Sequence, residues 1–161
     1  MLSRKVVLLG DSSVGKSSIV LRFVKDQFHE YQETTIGAAF LTQQVTTNDG
    51  SILKYEIWDT AGQERYKSLA PMYYRNAHLA LVCFDTNNAI TLEKAKEWIQ
   101  EVHQHTDCII CLVGNKTDLP RECSGEELAK ELQIHYKECS AKNGTGVKDI
   151  FKDMGILFLF S

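Results

Sequence analysis

Short apolar runs and amphipathic stretches alternate along almost the whole chain. Arg4–Gly10 is apolar at nearly every position (Val6, Val7, Leu8, Leu9) and reads as a strand covered on both faces. Lys16–Phe28 sets Ile19, Val20, Phe23 and Val24 on one side of a helix. Residues 38–47 and 52–58 flank Asn48-Asp49-Gly50, a hairpin-turn signal, and in the second arm Leu53, Tyr55 and Ile57 alternate with Lys54 and Glu56. There follow a strand over Leu79–Asp85, a helix over Leu92–His103 with Leu92, Ala95, Ile99 and Val102 on one face, and a strand over Ile109–Asn115. A helix over Gly125–Leu132 and a strand over Tyr136–Cys139 come next. A last helix starts near Val147, with Val147, Ile150, Phe151 and Met154 at helical spacing. One hairpin among strand–helix crossovers predicts an α/β three-layer sandwich: a six-stranded, mostly parallel sheet with one antiparallel edge strand and helices on both faces. No repeat or linker interrupts residues 1–161, so one domain is expected.

Composition changes this picture little. The chain is 43% hydrophobic, enough for a buried core, and its net charge of −3 gives no electrostatic reason to expect nucleic acid. No apolar run reaches the ~18–20 residues that span a bilayer, and Met1-Leu2-Ser3-Arg4-Lys5 lacks the order of a signal peptide. Cys83, Cys108, Cys111 and Cys139 lie in or beside apolar runs, as expected of reduced thiols in a cytoplasmic protein. Cys108-Ile109-Ile110-Cys111 has the spacing of a metal or redox motif. On a strand, however, residues three apart face opposite sides, and no second Cys or His pair stands nearby, so it reads as structural.

The chemistry begins at Gly10-Asp11-Ser12-Ser13-Val14-Gly15-Lys16-Ser17, which matches GxxxxGKS/T between an apolar strand and a helix. Glycines at its ends let the backbone wrap a phosphate, with N–H groups of Ser12, Ser13, Val14, Gly15, Lys16, Ser17 and Ser18 turned inward at a helix N-terminus. Lys16 is placed for the β- and γ-phosphates, and the Ser17 hydroxyl for Mg²⁺. The motif alone does not choose between adenine and guanine. Asn115-Lys116-Thr117-Asp118 does, because it follows directly on a strand, where bases bind in open α/β sheets. A carboxylate at Asp118 accepts from the ring N–H and exocyclic amine of guanine, an arrangement adenine cannot satisfy. Ser140-Ala141-Lys142, after the last strand, can bring a backbone N–H and an alkyl stem to the base, a weak signal by itself. Asp59-Thr60-Ala61-Gly62-Gln63 ends a strand: Asp59 can hold Mg²⁺ through a water, Gly62 can approach the γ-phosphate, and Gln63 can orient the attacking water.

In order and spacing these motifs resemble the Ras-like GTPases over about residues 4 to 154. Within them, residues 58–66 (Trp58 to Tyr66) are similar to the Rab family, and residues 35–43 and 68–75 to its Rab-five branch, associated with early endosomes. The resemblance implies a small GTPase domain that binds GTP or GDP with Mg²⁺, hydrolyses GTP slowly and works as a monomer. It implies that Thr35 ligands Mg²⁺ from switch I and that Phe28 packs against the guanine. Gln63, Lys16 and Thr35 are the implied catalytic groups. Phe40, Trp58 and Tyr73 are the implied aromatic patch read by effectors, although Trp58 reads equally well as core. Exchange factors and GTPase-activating proteins are the further implied partners. No arginine stands ready to act in cis, so an activating protein is expected to supply one. An intact Gln63 speaks against a GTP-sensing scaffold that does not hydrolyse, and Asn115–Asp118 against an ATPase or small-molecule kinase.

Two departures stand out. Ser12 and Ser13 replace glycines of Ras, a change common among Rabs. The family continues into a tail ending in prenylated cysteines, whereas this sequence stops at Ser161 after Gly155-Ile156-Leu157-Phe158-Leu159-Phe160. A truncated or alternatively spliced last helix, or exposed core, are the readings left open. The early endosome membrane is thus implied by resemblance, with the anchor missing and the last helix expected to be short.

Overall fold

The computed structural model describes residues 2–29, 39–47, 49–59 and 70–159. Its strands are β1 (Leu2–Gly10), β2 (Ala39–Thr46), β3 (Ile52–Asp59), β4 (Leu79–Asp85), β5 (Ile109–Asn115) and β6 (His135–Glu138). Its helices are α1 (Lys16–Lys25), α2 (Ala70–Tyr74), α3 (Ala89–His105), α4 (Glu126–Leu132) and α5 (Val147–Leu159). Among the described residues the strands form one six-stranded sheet in the order β2-β3-β1-β4-β5-β6. Only β2 runs antiparallel to its neighbour, at one edge.

The alternation of side chains along a strand divides the core in two. Val6 and Leu8 of β1, Leu79, Leu81 and Cys83 of β4, and Cys111 and Val113 of β5 meet Ile19, Phe23, Ile150, Phe151 and Met154 of α1 and α5. Val7 and Leu9, Ala80, Val82 and Phe84, and Ile110 and Leu112 point the other way, to Ala95, Trp98, Ile99 and Val102 of α3 and Ala129 of α4. The three central strands therefore bury both faces, which is why they read as unbroken apolar runs. Cys108 packs with the second group and Cys111 with the first, so the two cysteines do go to opposite sides of the sheet.

Several boundaries differ from the pattern. Helix α1 ends at Lys25 rather than Phe28, because Asp26 turns left-handed (φ 54°) and its N–H returns to the Arg22 carbonyl. Helix α3 begins at Ala89, three residues early, where the Asn88 side chain accepts from the Ile90 N–H. The five-residue α2 carried no periodic signal. Helix α5 continues through Gly155 to Leu159 and buries Phe158. Phe23 stacks on Phe151 with ring centroids 3.7 Å apart, and the Tyr55 hydroxyl donates to the Phe151 carbonyl at 2.6 Å, tying α5 to α1 and β3. No described helix is long and apolar enough to cross a membrane.

Candidate functional site

The loop between β1 and α1 is shaped by two glycines. At Gly10 φ is +141°, and a Cβ would stand 2.4 Å from the Cys83 carbonyl oxygen on β4. At Gly15 φ is +88°, and a Cβ would stand 2.6 Å from the Asn115 amide nitrogen. Both positions thus need the left-handed freedom and the missing side chain of glycine. No side chain caps α1 among the described residues, so its first N–H groups and the positive end of its dipole face the loop. Such a terminus suits an anion. Lys16 is 2% exposed, and its Nζ donates to the carbonyls of Gly10 and Asp11, each at 2.8 Å, which holds the ammonium across the loop.

Ser17, one residue into α1, meets Asp59 at the end of β3: its hydroxyl donates to Oδ2 at 2.5 Å. A hydroxyl and a carboxylate converging from two elements form the start of a hard oxygen donor set, which fits Mg²⁺.

The motifs after β5 and β6 close the other side. Asn115 is 2% exposed and joins three segments. Its Nδ2 donates to the Val14 carbonyl at 2.9 Å, and its Oδ1 accepts from the Ala141 N–H at 3.1 Å. The Cys139 thiol, whose pKa burial pushes up, stays protonated and also donates to that oxygen, at 3.6 Å. Lys116 lies over the phosphate loop, with Nζ donating to the Ser13 carbonyl at 2.8 Å and 3.4 Å from the Asp85 carboxylate. Asp118 accepts from the Ser140 hydroxyl at 2.7 Å, which steers its carboxylate. Ser140 is itself fixed, its N–H donating to the Thr145 carbonyl and its Oγ accepting from the Asn143 N–H.

These groups surround one cavity of about 380 Å³ lined by Ser12, Ser13, Gly15, Ser18, Phe28, His29, Asn115, Lys116, Asp118, Leu119, Ala141 and Lys142. Most residues expected to hold a ligand therefore meet, although they come from four separate stretches of chain. Ser140 stands behind the wall rather than in it, and the Val14 side chain points into the core, so Val14 has only its backbone to offer. Thr35, Gly62 and Gln63 lie outside the described residues. A larger open depression between α4 and β6 is lined by none of the motif residues, and its Arg121 is clasped by Glu138 at 2.7 Å.

Sequence reasoning missed His29, Asp85 and Arg22. Asp85 closes a parallel strand, a position where ligand-binding groups gather, and that signal was available. Arg22 gave none: it looks like an ordinary charged position on a helix. Its guanidinium nevertheless donates to the Ala141 carbonyl at 2.9 Å and the Lys142 carbonyl at 2.6 Å.

Away from the cavity, Phe40 of β2, Trp58 of β3 and Tyr73 of α2 form a continuous aromatic patch. Phe40 meets Trp58 edge-on at 5.1 Å between centroids, and Trp58 meets Tyr73 at 6.5 Å. Phe40 is 50% exposed, whereas Trp58 is half-buried beneath it with the Lys5 ammonium 5.0 Å from its ring.

The profile of the Ras family matches residues 5–157. The chain belongs to the Ras family. It is 53% identical over 158 residues to the GTP-binding protein ypt5 of Schizosaccharomyces pombe, covering 93% of this chain and 75% of that one. It is 49% identical to the GTP-binding protein YPT52 of Saccharomyces cerevisiae, with 96% of this chain and 81% of that one covered. It is 52% identical to the Ras-related protein RABF2a of Arabidopsis thaliana, covering 95% and 80%. These relatives bear out the Rab resemblance drawn from residues 35–43, 58–66 and 68–75, and the sheet order is that of a Ras-family P-loop fold.

Proposed function

We propose that this Ras-family chain is a Rab-type GTP/GDP switch in endosomal membrane traffic, and that the cavity between the phosphate loop and the Asn115–Asp118 loop holds its guanine nucleotide. The observation carrying this reading is the convergence of the three motif loops, locked by Asn115, on one cavity of about 380 Å³. Asp118 accepts from the ring N–H and amine of guanine, Ala141 offers the pocket its side of the base loop, and Phe28 and the Lys116 stem flank the ring. The N–H groups of residues 12–18 receive the phosphates.

GTP hydrolysis is phosphoryl transfer to water. Bound Mg²⁺ would neutralise charge on the β- and γ-oxygens; Ser17, Asp59 and Thr35 are the residues to hold it. Lys16, swung from the loop carbonyls to the phosphate, stabilises charge that develops in the transition state. Gln63 orients the water, and Gly62 gives its N–H to the γ-phosphate. Turnover is slow until an activating protein adds an arginine. Effectors read Phe40, Trp58 and Tyr73, and exchange factors and activating proteins set the nucleotide state. The chain acts as a monomer on the cytosolic face of early endosomes.

Heat release of the nucleotide from the purified chain, identification by chromatography, and phosphate release after GTP loading test this reading. Guanine nucleotide and slow release that falls further in Gln63→Leu are expected. A bound adenine nucleotide, or many turnovers per second from the isolated chain, would refute it.

A further inference from the structure

Arg22 sits on α1 more than one turn from the phosphate loop, yet two arms of its guanidinium are committed to a wall of the cavity and the third to the C-cap of its own helix. Nε donates to the Ala141 carbonyl at 2.9 Å and Nη2 to the Lys142 carbonyl at 2.6 Å. Nη1 reaches the other way, to the carbonyl and the carboxylate of Asp26, both at 3.2 Å. Ala141 and Lys142 line one wall of the cavity. Asp26 is the left-handed residue from which the chain runs on to Phe28 and His29, which line another. Ala141 is held from both ends, since its N–H donates to Asn115 and its carbonyl accepts from Arg22.

A planar fork with five donors in fixed geometry spans these separated partners at once, whereas an ammonium offers three donors from a single point on a flexible stem. The Arg22 side chain is only 15% exposed and its bond to the Ala141 carbonyl is partly buried, whereas the Asp26 carboxylate is 67% exposed.

We propose that Arg22 is a positioning residue for nucleotide retention: it clasps the base loop to the segment leading into Phe28, so that neither wall opens without the other. The inference rests on the guanine-pocket reading above. Arg22 touches no phosphate-loop atom among its hydrogen-bond partners, so the clasp governs release of the nucleotide rather than its hydrolysis.

The test uses the full chain loaded with a fluorescent GDP and chased with excess GDP, alongside single-turnover hydrolysis of preloaded GTP. Arg22→Ala is expected to speed GDP release by about tenfold or more, equivalent to ~1.4 kcal/mol or more, with single-turnover hydrolysis changed less than about twofold. A general loss of structure would move both rates together, and that result would overturn the proposal, as would unchanged release. Arg22→Lys keeps the charge and the helix and stays informative if Arg22→Ala does not fold. Release between the two is expected, and release equal to that of the unmodified chain would overturn the clasp. If the unmodified chain held no guanine nucleotide, the pocket reading itself would fall. If it held the nucleotide and Arg22 variants released it normally, only the clasp would fall.

Discussion

Asn115→Ala removes a side chain that joins the phosphate loop, β5 and the base loop. The side chain is 2% exposed and makes two well-formed bonds, from Nδ2 to the Val14 carbonyl at 2.9 Å and to Oδ1 from the Ala141 N–H at 3.1 Å. Val14 and Ala141 are buried too, so each backbone group relies on Asn115 for its partner. Each buried group left unpaired costs about 1–3 kcal/mol, so together they predict a loss of roughly 2–6 kcal/mol. Two loops of the cavity lose their common anchor in the same step, so nucleotide affinity is expected to fall as well, and with it the stabilisation that bound nucleotide gives the folded chain. Urea unfolding at fixed excess GDP, with a GDP titration beside it, measures both quantities. Asn115→Asp sharpens the test: it keeps an acceptor for Ala141 but turns a carboxylate oxygen towards the Val14 carbonyl, and it should also destabilise. If Asn115→Ala lost less than about 0.5 kcal/mol, within the range of ordinary surface changes, and bound GDP as before, the keystone role would be refuted.

Other substitutions probe other parts of the argument. Gly10→Ala would drive a methyl to within 2.4 Å of the Cys83 carbonyl at a φ of +141°, and should yield little folded protein; a thermal melt within a few degrees of the parent would contradict this. Asp118→Asn replaces an acceptor by a donor at the base edge, and should shift preference from guanine to xanthine nucleotides; competition binding showing an undiminished guanine preference would remove Asp118 from base recognition. The His78 Nδ1 accepts from the Lys5 N–H at 2.9 Å, and burial together with nearby Arg4 and Lys5 lowers its pKa, with Glu56 opposing. Below the unfolded value of ~6.5 the unfolded chain takes up a proton that the folded chain resists, so this contribution is lost as pH falls towards the lowered folded value. Melting temperatures at pH 7.5 and 5.5 should therefore differ less in His78→Asn than in the parent.

What could be read from the sequence depended on whether the physics was local. Residues 10–17 and 115–118 carry their meaning in contiguous form, because one short loop must wrap one phosphate or meet one base edge. The sheet was legible for a similar reason: Val6–Leu9 and Leu79–Phe84 must be apolar throughout to face two cores. The end of α1 was misplaced since Phe28 continues the apolar spacing while Asp26, a residue that tolerates left-handed backbone, ends the helix. Arg22 was invisible because its partners, Ala141 and Lys142, lie 119 and 120 residues away in the chain. Phe28 came from resemblance and not from spacing, and it does line the cavity.

The aromatic patch also makes the molecule its own optical probe. The chain has two tryptophans, and they occupy unlike surroundings. Trp98 is sealed against the α3 side of the core, while Trp58 shares its ring with Phe40, Tyr73 and the Lys5 ammonium and directly precedes Asp59, the partner of Ser17. Emission from Trp58 should therefore track events at Asp59, with Trp98 as a constant background, and a Trp98→Phe chain would report them without any attached dye.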